Sequence, residues 1–285
     1  MFMSDKLILG TVQFGLNYGI NNSQGKPEKE NVFQILSYAY ESGIRYLDTA
    51  DLYGNAHDLI GVFHKLYPDK KFEIITKFPH EFESNLDDKI DIYLDQLAVD
   101  HLHAILFHSF DSYVKHRSEL NGKINKVVKI GVSVYTNAQM EEVINDTNID
   151  IIQLPFNLFD NIHLRGALLK KAKEKNKIIH TRSAFLQGLF FMKKDNPNKI
   201  RVKLEKELEV ISNISLKYCN PIGSLALNYC LRQTDIDGVL IGVDSLAQLK
   251  ENILYAKSKV SDEYMNEINA IRIDDIELLN PSLWK

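Results

Sequence analysis

Short apolar runs alternate with amphipathic stretches along almost the whole chain. The first run covers residues 7–12, and residues 27–43 follow it with Val32, Ile35, Leu36 and Ala39 at the spacing of one helix face. Seven further β-rich runs lie at 43–47, 72–77, 102–107, 127–133, 149–154, 177–182 and 238–242. Helical patterns fill most of the intervals, including 55–66 and 84–97, two stretches between the seventh and eighth runs, and one near 261–271.

Eight strands that are each followed by a helix, with no linker rich in Gly, Ser or Pro, are typical of a (β/α)8 TIM barrel. We therefore predict one α/β barrel domain over residues 1–285. The main rival is a doubly wound sheet, which would carry a Gly-x-Gly-x-x-Gly turn after its first strand. Residues 10–15, GTVQFG, lack that spacing, so the pattern favours the barrel.

Composition excludes several classes of function. The 285 residues carry a formal net charge of −4, which argues against a nucleic-acid partner. We find neither an apolar run of membrane-spanning length nor a secretory signal, so we expect neither export nor membrane insertion. Cys219 and Cys230 form no disulfide framework and no zinc pattern, so we expect no metal site and a cytoplasmic location. The sequence specifies no oligomeric state.

Four polar residues follow three successive predicted strands. Asp48 and Tyr53 come after the second strand, Lys77 ends the third and His108 follows the fourth. The carboxyl ends of barrel strands face one mouth, where α/β barrels carry their chemistry, so we expect these side chains to converge.

Together the four side chains are suited to transferring a proton to a carbonyl oxygen. A free phenol has a pKa near 10, and a nearby ammonium lowers it, so we expect Lys77 to lower the pKa of Tyr53. Asp48 would keep Lys77 protonated and oriented. Tyr53 would then donate a proton to a carbonyl oxygen that His108 holds by a hydrogen bond.

The sequence resembles the aldo-keto reductases over nearly its whole length. The matching segments, in the order of the family, are LILGTVQFG, YLDTADLYGNAHDLIG, EIITKF, HAILFHSFD, IGVSVY, DIIQLPFN, RSAFLQGL and VLIGVDSLAQLKENI. Asp48, Tyr53, Lys77 and His108 match the catalytic tetrad of the family. The resemblance implies reduction of an aldehyde or ketone by NAD(P)H on a (β/α)8 barrel, with Tyr53 as acid in reduction and base in oxidation.

The resemblance also implies contacts for the nicotinamide end of the cofactor. Ser133 and Gln153 match the residues that hold the nicotinamide carboxamide, whereas the usual Asn after that serine is Val134. Arg182 stands where an aromatic residue often stacks on the nicotinamide ring. We count Arg182 with the cofactor contacts and expect its side chain to turn toward the substrate, to bind an anionic group or a sugar hydroxyl.

A second group of residues matches the adenosine-phosphate clamp of the family. These residues are Gly242, Asp244, Gln248, Glu251 and Asn252. Asp244 stands near the expected position of the ribose 2′ group, where a carboxylate accepts a hydrogen bond from a hydroxyl but repels a phosphate. We therefore expect NADH rather than the NADPH that the family commonly uses.

The expected substrate is a small polar carbonyl compound. Phe14, Asn17, Tyr18, Phe78 and Phe185 are predicted to wall its pocket. The tail after the last helix, residues 274–285, is shorter than the C-terminal loop of family members that act on steroids. The RSAFLQGL segment resembles aldo-keto reductases of bacterial surface-sugar pathways, which favours a sugar-derived substrate and a place in carbohydrate metabolism.

The sequence is also compatible with two other functions. Some members of the family resemble cofactor-binding regulatory subunits, and altered cofactor contacts such as Val134 are compatible with that role. Tight cofactor binding without turnover would favour such a subunit. A barrel isomerase that uses the same acid and base would bind no nicotinamide at all.

Overall fold

A closed barrel of eight parallel strands forms the centre of the molecule, with neighbours in sequence order and the eighth strand paired with the first. The structure is a computed structural model that describes residues 3–22, 24–83, 85–120 and 124–284. The strands are β1 (Leu7–Gly10), β2 (Tyr46–Asp48), β3 (Glu73–Phe78), β4 (Leu102–Phe107), β5 (Val127–Ser133), β6 (Ile151–Pro155), β7 (Ile178–Arg182) and β8 (Gly238–Gly242). The predicted (β/α)8 barrel is confirmed.

Helices surround the barrel. They are α1 (Val12–Gly15), α2 (Lys29–Glu41), α3 (Ala56–Leu66), α4 (Leu86–Leu97), α5 (Phe110–His116), α6 (Asn137–Ile144), α7 (Ile162–Glu174), α8 (Lys199–Lys203), α9 (Glu205–Lys217), α10 (Ile222–Leu231), α11 (Leu246–Lys257) and α12 (Glu263–Ala270). Short 3-10 turns lie at Met3–Lys6, Pro68–Lys70, Arg117–Glu119, Leu186–Phe191, Ile276–Leu279 and Pro281–Leu283.

Most predicted elements agree with the observed ones, and the differences have local causes. Val32, Ile35, Leu36 and Ala39 form the buried face of α2, as their spacing predicts. β1 ends at Gly10 rather than at residue 12, because the chain turns there into α1. Three helices, not two, separate β7 from β8, since α8 is too short to show a helical period. The predicted start of the fourth helix at Ser84 lies outside the described residues.

Alternation along the strands divides the core into two parts. Side chains that point inward fill the barrel itself: Ile8, Ile75, Ala104, Leu106, Ile151 and Leu240. Side chains that point outward pack against the helices in a much larger cluster, which includes Ile105 and Phe107 from β4. Because successive residues of a strand face opposite sides, one strand can supply both parts, as β4 does with Ala104 and Leu106 inside and Ile105 and Phe107 outside.

Two glycines position the loop that carries Tyr53. A Cβ atom on Gly15 would lie 1.6 Å from the carbonyl oxygen of Tyr53, and one on Gly54 would lie 2.5 Å from the carbonyl oxygen of Gly15. Gly54 also has a positive φ of 57°, a conformation that other residues rarely adopt. The loop after β2 therefore packs directly against α1, next to the barrel mouth.

Within the described part of the chain, no helix combines the length and apolar character needed to cross a membrane.

Candidate active site

Two connected cavities open at the carboxyl ends of the strands. The smaller one, of about 250 Å³, is called the catalytic cavity here, and the larger one, of about 340 Å³, the cofactor groove. The catalytic cavity is lined by Val12, Tyr18, Tyr53, Lys77, His108, Ser133, Tyr135, Gln153, Arg182, Gln187, Pro281 and Ser282. Tyr53, Gln153 and Arg182 are among the residues that line both, so the two spaces form one cleft.

A buried ion pair lies at the base of the catalytic cavity. The Lys77 ammonium donates to a carboxylate oxygen of Asp48 and, at 3.0 Å, to the backbone oxygen of Thr49. Gln153 Nε2 donates to the other Asp48 oxygen at 2.8 Å. Asp48 and Lys77 are only 2% and 1% exposed, so water contributes little to their stabilisation. Partners on both sides therefore hold the carboxylate and the ammonium in place.

Tyr53 lies between this pair and His108. The Lys77 ammonium is 5.3 Å from the centroid of the Tyr53 ring. The His108 ring meets the same ring edge-on, with 5.7 Å between centroids. The Tyr53 hydroxyl forms no hydrogen bond with any residue that the structure describes, which leaves it free for a ligand in the cavity. The four residues predicted to converge do so.

The pKa of Tyr53 moves in the direction opposite to our expectation. Burial raises it above its ordinary value, and the negative charge of Asp48 raises it further. The predicted lowering of the Tyr53 pKa by Lys77 is therefore wrong, because Lys77 is paired with Asp48 and the carboxylate disfavours a phenolate. Tyr53 keeps its proton at neutral pH.

His108 is held in its neutral form. Burial is the main cause that lowers its pKa to about 2, and the positive charges of Lys77, His80 and Arg182 act in the same direction. Its Nδ1 atom is buried and has no hydrogen-bond partner among the described residues. A neutral imidazole retains one N–H group, so His108 can donate a hydrogen bond without carrying charge.

Side chains outside the cleft anchor the Tyr53 loop. The Asp51 carboxylate accepts hydrogen bonds from the Tyr93 hydroxyl at 2.6 Å and from the Lys89 ammonium at 3.0 Å. The Asp51 amide donates to the backbone oxygen of Lys77 at 3.1 Å, which joins the loop to the end of β3. No pattern in the sequence singles out Asp51 for this role.

The predicted carboxamide contacts lie side by side. Ser133 at the end of β5 pairs in register with Gln153 in β6, and both line the catalytic cavity. Gln153 Nε2 is engaged with Asp48, whereas its Oε1 atom is buried and has no described partner. An unpaired buried acceptor is costly, and the NH₂ group of a nicotinamide carboxamide would satisfy it. These residues therefore fit the cofactor that the resemblance implies.

The predicted adenosine-phosphate residues line the far end of the cofactor groove. They are Gly242, Asp244, Gln248, Glu251 and Asn252. Gln248 accepts from the Asp244 amide at 2.7 Å, and the Asp244 carboxylate accepts from Asn22 at 3.2 Å. Glu251 accepts from the Tyr255 hydroxyl at 2.6 Å. This end of the groove thus presents two carboxylates that are already oriented by neighbours.

Three of the predicted substrate residues lie elsewhere. Phe14 and Phe78 have no exposed surface and belong to the core, so the prediction that they wall the pocket is wrong. Lys77 points into the barrel mouth, and alternation sends Phe78 to the helix side. Asn17 is exposed and lines neither cavity. Tyr18 lines both cavities, and Phe185 lines the cofactor groove.

Sequence reasoning missed several residues that line the catalytic cavity. Tyr135 comes two residues after Ser133 at the end of β5, a position that could have suggested a site residue. Gln187 lies in the turn after β7 and donates to the Tyr18 hydroxyl at 2.9 Å. Pro281 and Ser282 come from the short C-terminal tail, and no local pattern indicates that the tail returns to the barrel mouth.

Comparison with known proteins agrees with this geometry. The family model described as the Aldo/keto reductase family matches residues 6–273. The chain belongs to this family. As an aldo-keto reductase it is an NAD(P)-dependent oxidoreductase that acts on carbonyl compounds.

Individual relatives are distant but cover most of the chain. A probable aldo-keto reductase of Glycine max is 24% identical over 90% of this chain and 84% of its own length. An NADH-specific methylglyoxal reductase of Escherichia coli is 21% identical over 84% of this chain and 86% of its own length. The solved holo form of a Bacillus halodurans aldo-keto reductase shares the fold with a TM-score of 0.73 and 19% identity, and covers 95% of this chain and 94% of its own.

Proposed function

We propose that this aldo-keto reductase reduces a small polar carbonyl compound with NADH, and that Tyr53 is the proton donor. The observation that carries the proposal is a protonated phenol with a free hydroxyl, held in a cavity beside Lys77 and His108. A proton donor within reach of the carbonyl oxygen is what reduction requires of the protein.

Each residue of the tetrad has a separate task in this mechanism. Ser133 and Gln153 would hold a nicotinamide, and this group would supply the hydride that reduces the carbonyl carbon. Tyr53 passes its hydroxyl proton to the carbonyl oxygen as negative charge develops there, and neutral His108 donates a hydrogen bond to the same oxygen. The Lys77 ammonium stabilises the phenolate that Tyr53 becomes. Asp48 fixes Lys77, and its negative charge opposes the lowering of the Lys77 pKa that burial causes.

The chain's own groups are suited to orient the nicotinamide. The free Oε1 of Gln153 would accept a hydrogen bond from the carboxamide, and Ser133 would bind the same group. The Asn that the family usually carries after the serine is replaced by Val134, which is wholly buried. Two side chains rather than three would therefore hold the carboxamide, and the ladder between β5 and β6 keeps those two in register.

The charge of the cofactor groove favours NADH. Asp244 and Glu251 line its far end, and Arg182, at the opposite end, is the sole Lys or Arg among the described residues that line it. A 2′-phosphate would meet two carboxylates and no cation, whereas a 2′-hydroxyl can donate to a carboxylate. The NADH-specific relative from Escherichia coli agrees with this preference.

The lining of the catalytic cavity favours a polar substrate. Tyr18, Tyr135, Gln187 and Ser282 offer hydroxyl and amide groups at its walls. A volume of about 250 Å³ suits a small molecule rather than a steroid. We propose a hydroxylated carbonyl compound, such as one derived from a sugar.

Two measurements test this function. The first is titration of the purified chain with NADH and with NADPH, followed by cofactor fluorescence, and we expect tighter binding of NADH. The second is loss of NADH absorbance with a panel of short hydroxylated aldehydes, ketones and alkyl aldehydes, in which the hydroxylated members should turn over fastest. Tight cofactor binding without turnover of any carbonyl would instead support a regulatory subunit, and turnover confined to long alkyl aldehydes would contradict the polar substrate.

A further inference from the structure

Arg182, the last residue of β7, places an unpaired cation at the catalytic cavity. Its Nη2 atom donates to the backbone oxygen of Val134 at 3.3 Å, and its guanidinium carbon lies 4.0 Å from the centroid of the Tyr135 ring. No described carboxylate forms a salt bridge with it. Four other arginines form ion pairs with acidic residues: Arg117, Arg165, Arg201 and Arg232.

The other charges of the cavity are already compensated. Lys77 is paired with Asp48, and His108 is neutral at working pH. No acidic residue is among the described residues that line the catalytic cavity. Asp48 lines the adjoining groove, and both of its carboxylate oxygens are already hydrogen-bonded. The catalytic cavity therefore carries about one net positive charge, which belongs to Arg182.

The positive charge of Arg182 affects the pKa values of three members of the tetrad. Arg182 contributes to lowering the pKa of His108 and of Lys77, and it opposes the rise in the pKa of Tyr53. A guanidinium that influences three members of the tetrad lies close to the position where a substrate would react. A group bound to Arg182 would therefore lie within a few bonds of the carbonyl.

The orientation of Arg182 leaves its polar edge available. Stacking on Tyr135 occupies a flat face of the guanidinium, and the hydrogen bond to Val134 uses one N–H of five. The remaining N–H groups form the fork that binds a carboxylate or phosphate with two parallel hydrogen bonds. Contact with an aromatic ring also restricts the side chain before a ligand arrives.

We propose that Arg182 binds an oxyanion of the substrate, so that this enzyme acts on small aldehydes or ketones that carry a carboxylate or a phosphate ester. This inference rests on the proposed function and adds the charge class of the substrate. An anion bound to Arg182 would offset its positive charge. A nicotinamide ring held by Gln153 and Ser133 would become positive on losing hydride, so this compensation would lessen repulsion within the cleft.

Matched substrate pairs test the proposal. One pair is succinic semialdehyde and butanal, and the other is glyceraldehyde 3-phosphate and glyceraldehyde, each measured with saturating NADH. We expect the wild type to prefer the charged member, and the pair with the larger preference identifies carboxylate or phosphate as the group. In Arg182→Met we expect KM for that member to rise about 10- to 100-fold, the cost of a charge-assisted hydrogen-bonded pair, with less than about threefold change for the neutral member.

Control variants separate charge from shape. Arg182→Lys keeps the charge but loses the fork, so it should recover part of the preference. Arg117→Met removes an exposed arginine far from the cleft and should leave KM unchanged for both the charged and the neutral substrate. An equal rise in KM for the charged and the neutral substrate in Arg182→Met would overturn the proposal. A wild type that does not prefer the charged substrate would also overturn it.

A binding measurement keeps the proposal independent of turnover. Calorimetric titration of the NADH-bound chain with succinate, compared with succinamide, should show binding of succinate alone, and Arg182→Met should abolish it. If no carbonyl is reduced but succinate still binds through Arg182, the proposed function fails and the anion site stands. If carbonyls are reduced and succinate does not bind, the anion site fails alone.

Discussion

The two ends of the cleft have opposite charge and different construction. At the catalytic end, side chains from the ends of six successive strands meet, and Asp48 and Lys77 are almost fully buried. At the far end of the cofactor groove, Asp244 comes from the segment after β8 and Glu251 comes from α11. Asp244 is half-buried and Glu251 is exposed. One end carries an uncompensated cation and the other carries two carboxylates.

Because of this difference, losing a carboxylate should have different effects at the two ends. The carboxylate of Asp48 is part of a buried network, so its loss would damage both folding and chemistry. The carboxylate of Asp244 lies on a half-buried polar surface. Under the proposed function, we expect its loss to alter cofactor selectivity and little else. The same residue type thus has different consequences in the two regions, because only one of them excludes water.

The largest expected effect is at the catalytic end. Tyr53→Phe removes the proton donor and keeps the ring, and we expect turnover to fall about 10³-fold, within the range known for general acid catalysis. NADH binding should stay within about twofold. Stopped-flow measurement of hydride transfer checks the fall in turnover, and cofactor fluorescence checks the NADH affinity.

The matched control is Tyr67→Phe, which alters an exposed tyrosine at the end of α3. It should leave turnover unchanged. If Tyr53→Phe kept wild-type turnover, the proton would have to come from another group in the cavity.

The next largest expected effect is on stability, and it differs between Asp48 and Asp244. Asp48→Ala leaves the Lys77 ammonium buried with only a backbone oxygen as partner, and we expect it to reduce the free energy of unfolding by about 3–5 kcal/mol. Asp244→Ala should cost about 0.5 kcal/mol or less, as is usual for surface substitutions. Urea unfolding at neutral pH measures both. Equal losses would contradict the distinction between a buried network and a polar surface.

Cofactor choice should change when the acidic end is neutralised. Asp244→Ser removes one of the two charges that would face a 2′-phosphate, and we expect NADPH to bind about tenfold more tightly, equivalent to about 1.4 kcal/mol. NADH affinity should change by less than about threefold. Asp69→Ser, at an exposed turn before β3, is the control. An unchanged ratio of NADH to NADPH affinity would mean that Asp244 does not face the ribose.

The smallest effect concerns pH. The pKa of His108 is lowered from 6.5 to about 2, so its neutral form contributes stability that is fully present above pH 6.5 and is lost as pH falls below it. In His108→Asn this loss is absent, so between pH 6.5 and 5.5 the variant should lose about 1 kcal/mol less than the wild type. Urea unfolding at the two pH values measures the difference. Identical pH dependence would show that folding does not lower the pKa of His108.

The barrel and the positions of the tetrad were predictable because both depend on local patterns. Eight apolar runs separated by helical spacing specify the architecture, and polar residues directly after three of those runs lie at the same mouth by the geometry of parallel strands. The resemblance to the family predicted that Ser133, Gln153 and Asp244 lie in the cleft, and they line its two cavities. The wrong predictions came from single residues: Phe78 follows an inward-facing lysine, and strand alternation therefore buries it outside the barrel.

The sequence by itself determined the strand order, the convergence of Asp48, Tyr53, Lys77 and His108, and the acidic residues Asp244 and Glu251 at the far end of the cofactor groove. Only the tertiary structure decided that Tyr135 stacks on Arg182, that Pro281 and Ser282 return to the barrel mouth, and that the pKa of Tyr53 is raised. Each of these depends on residues far apart in the chain or on the exclusion of water. Burial and distance arise from the complete fold, and no local pattern contains them.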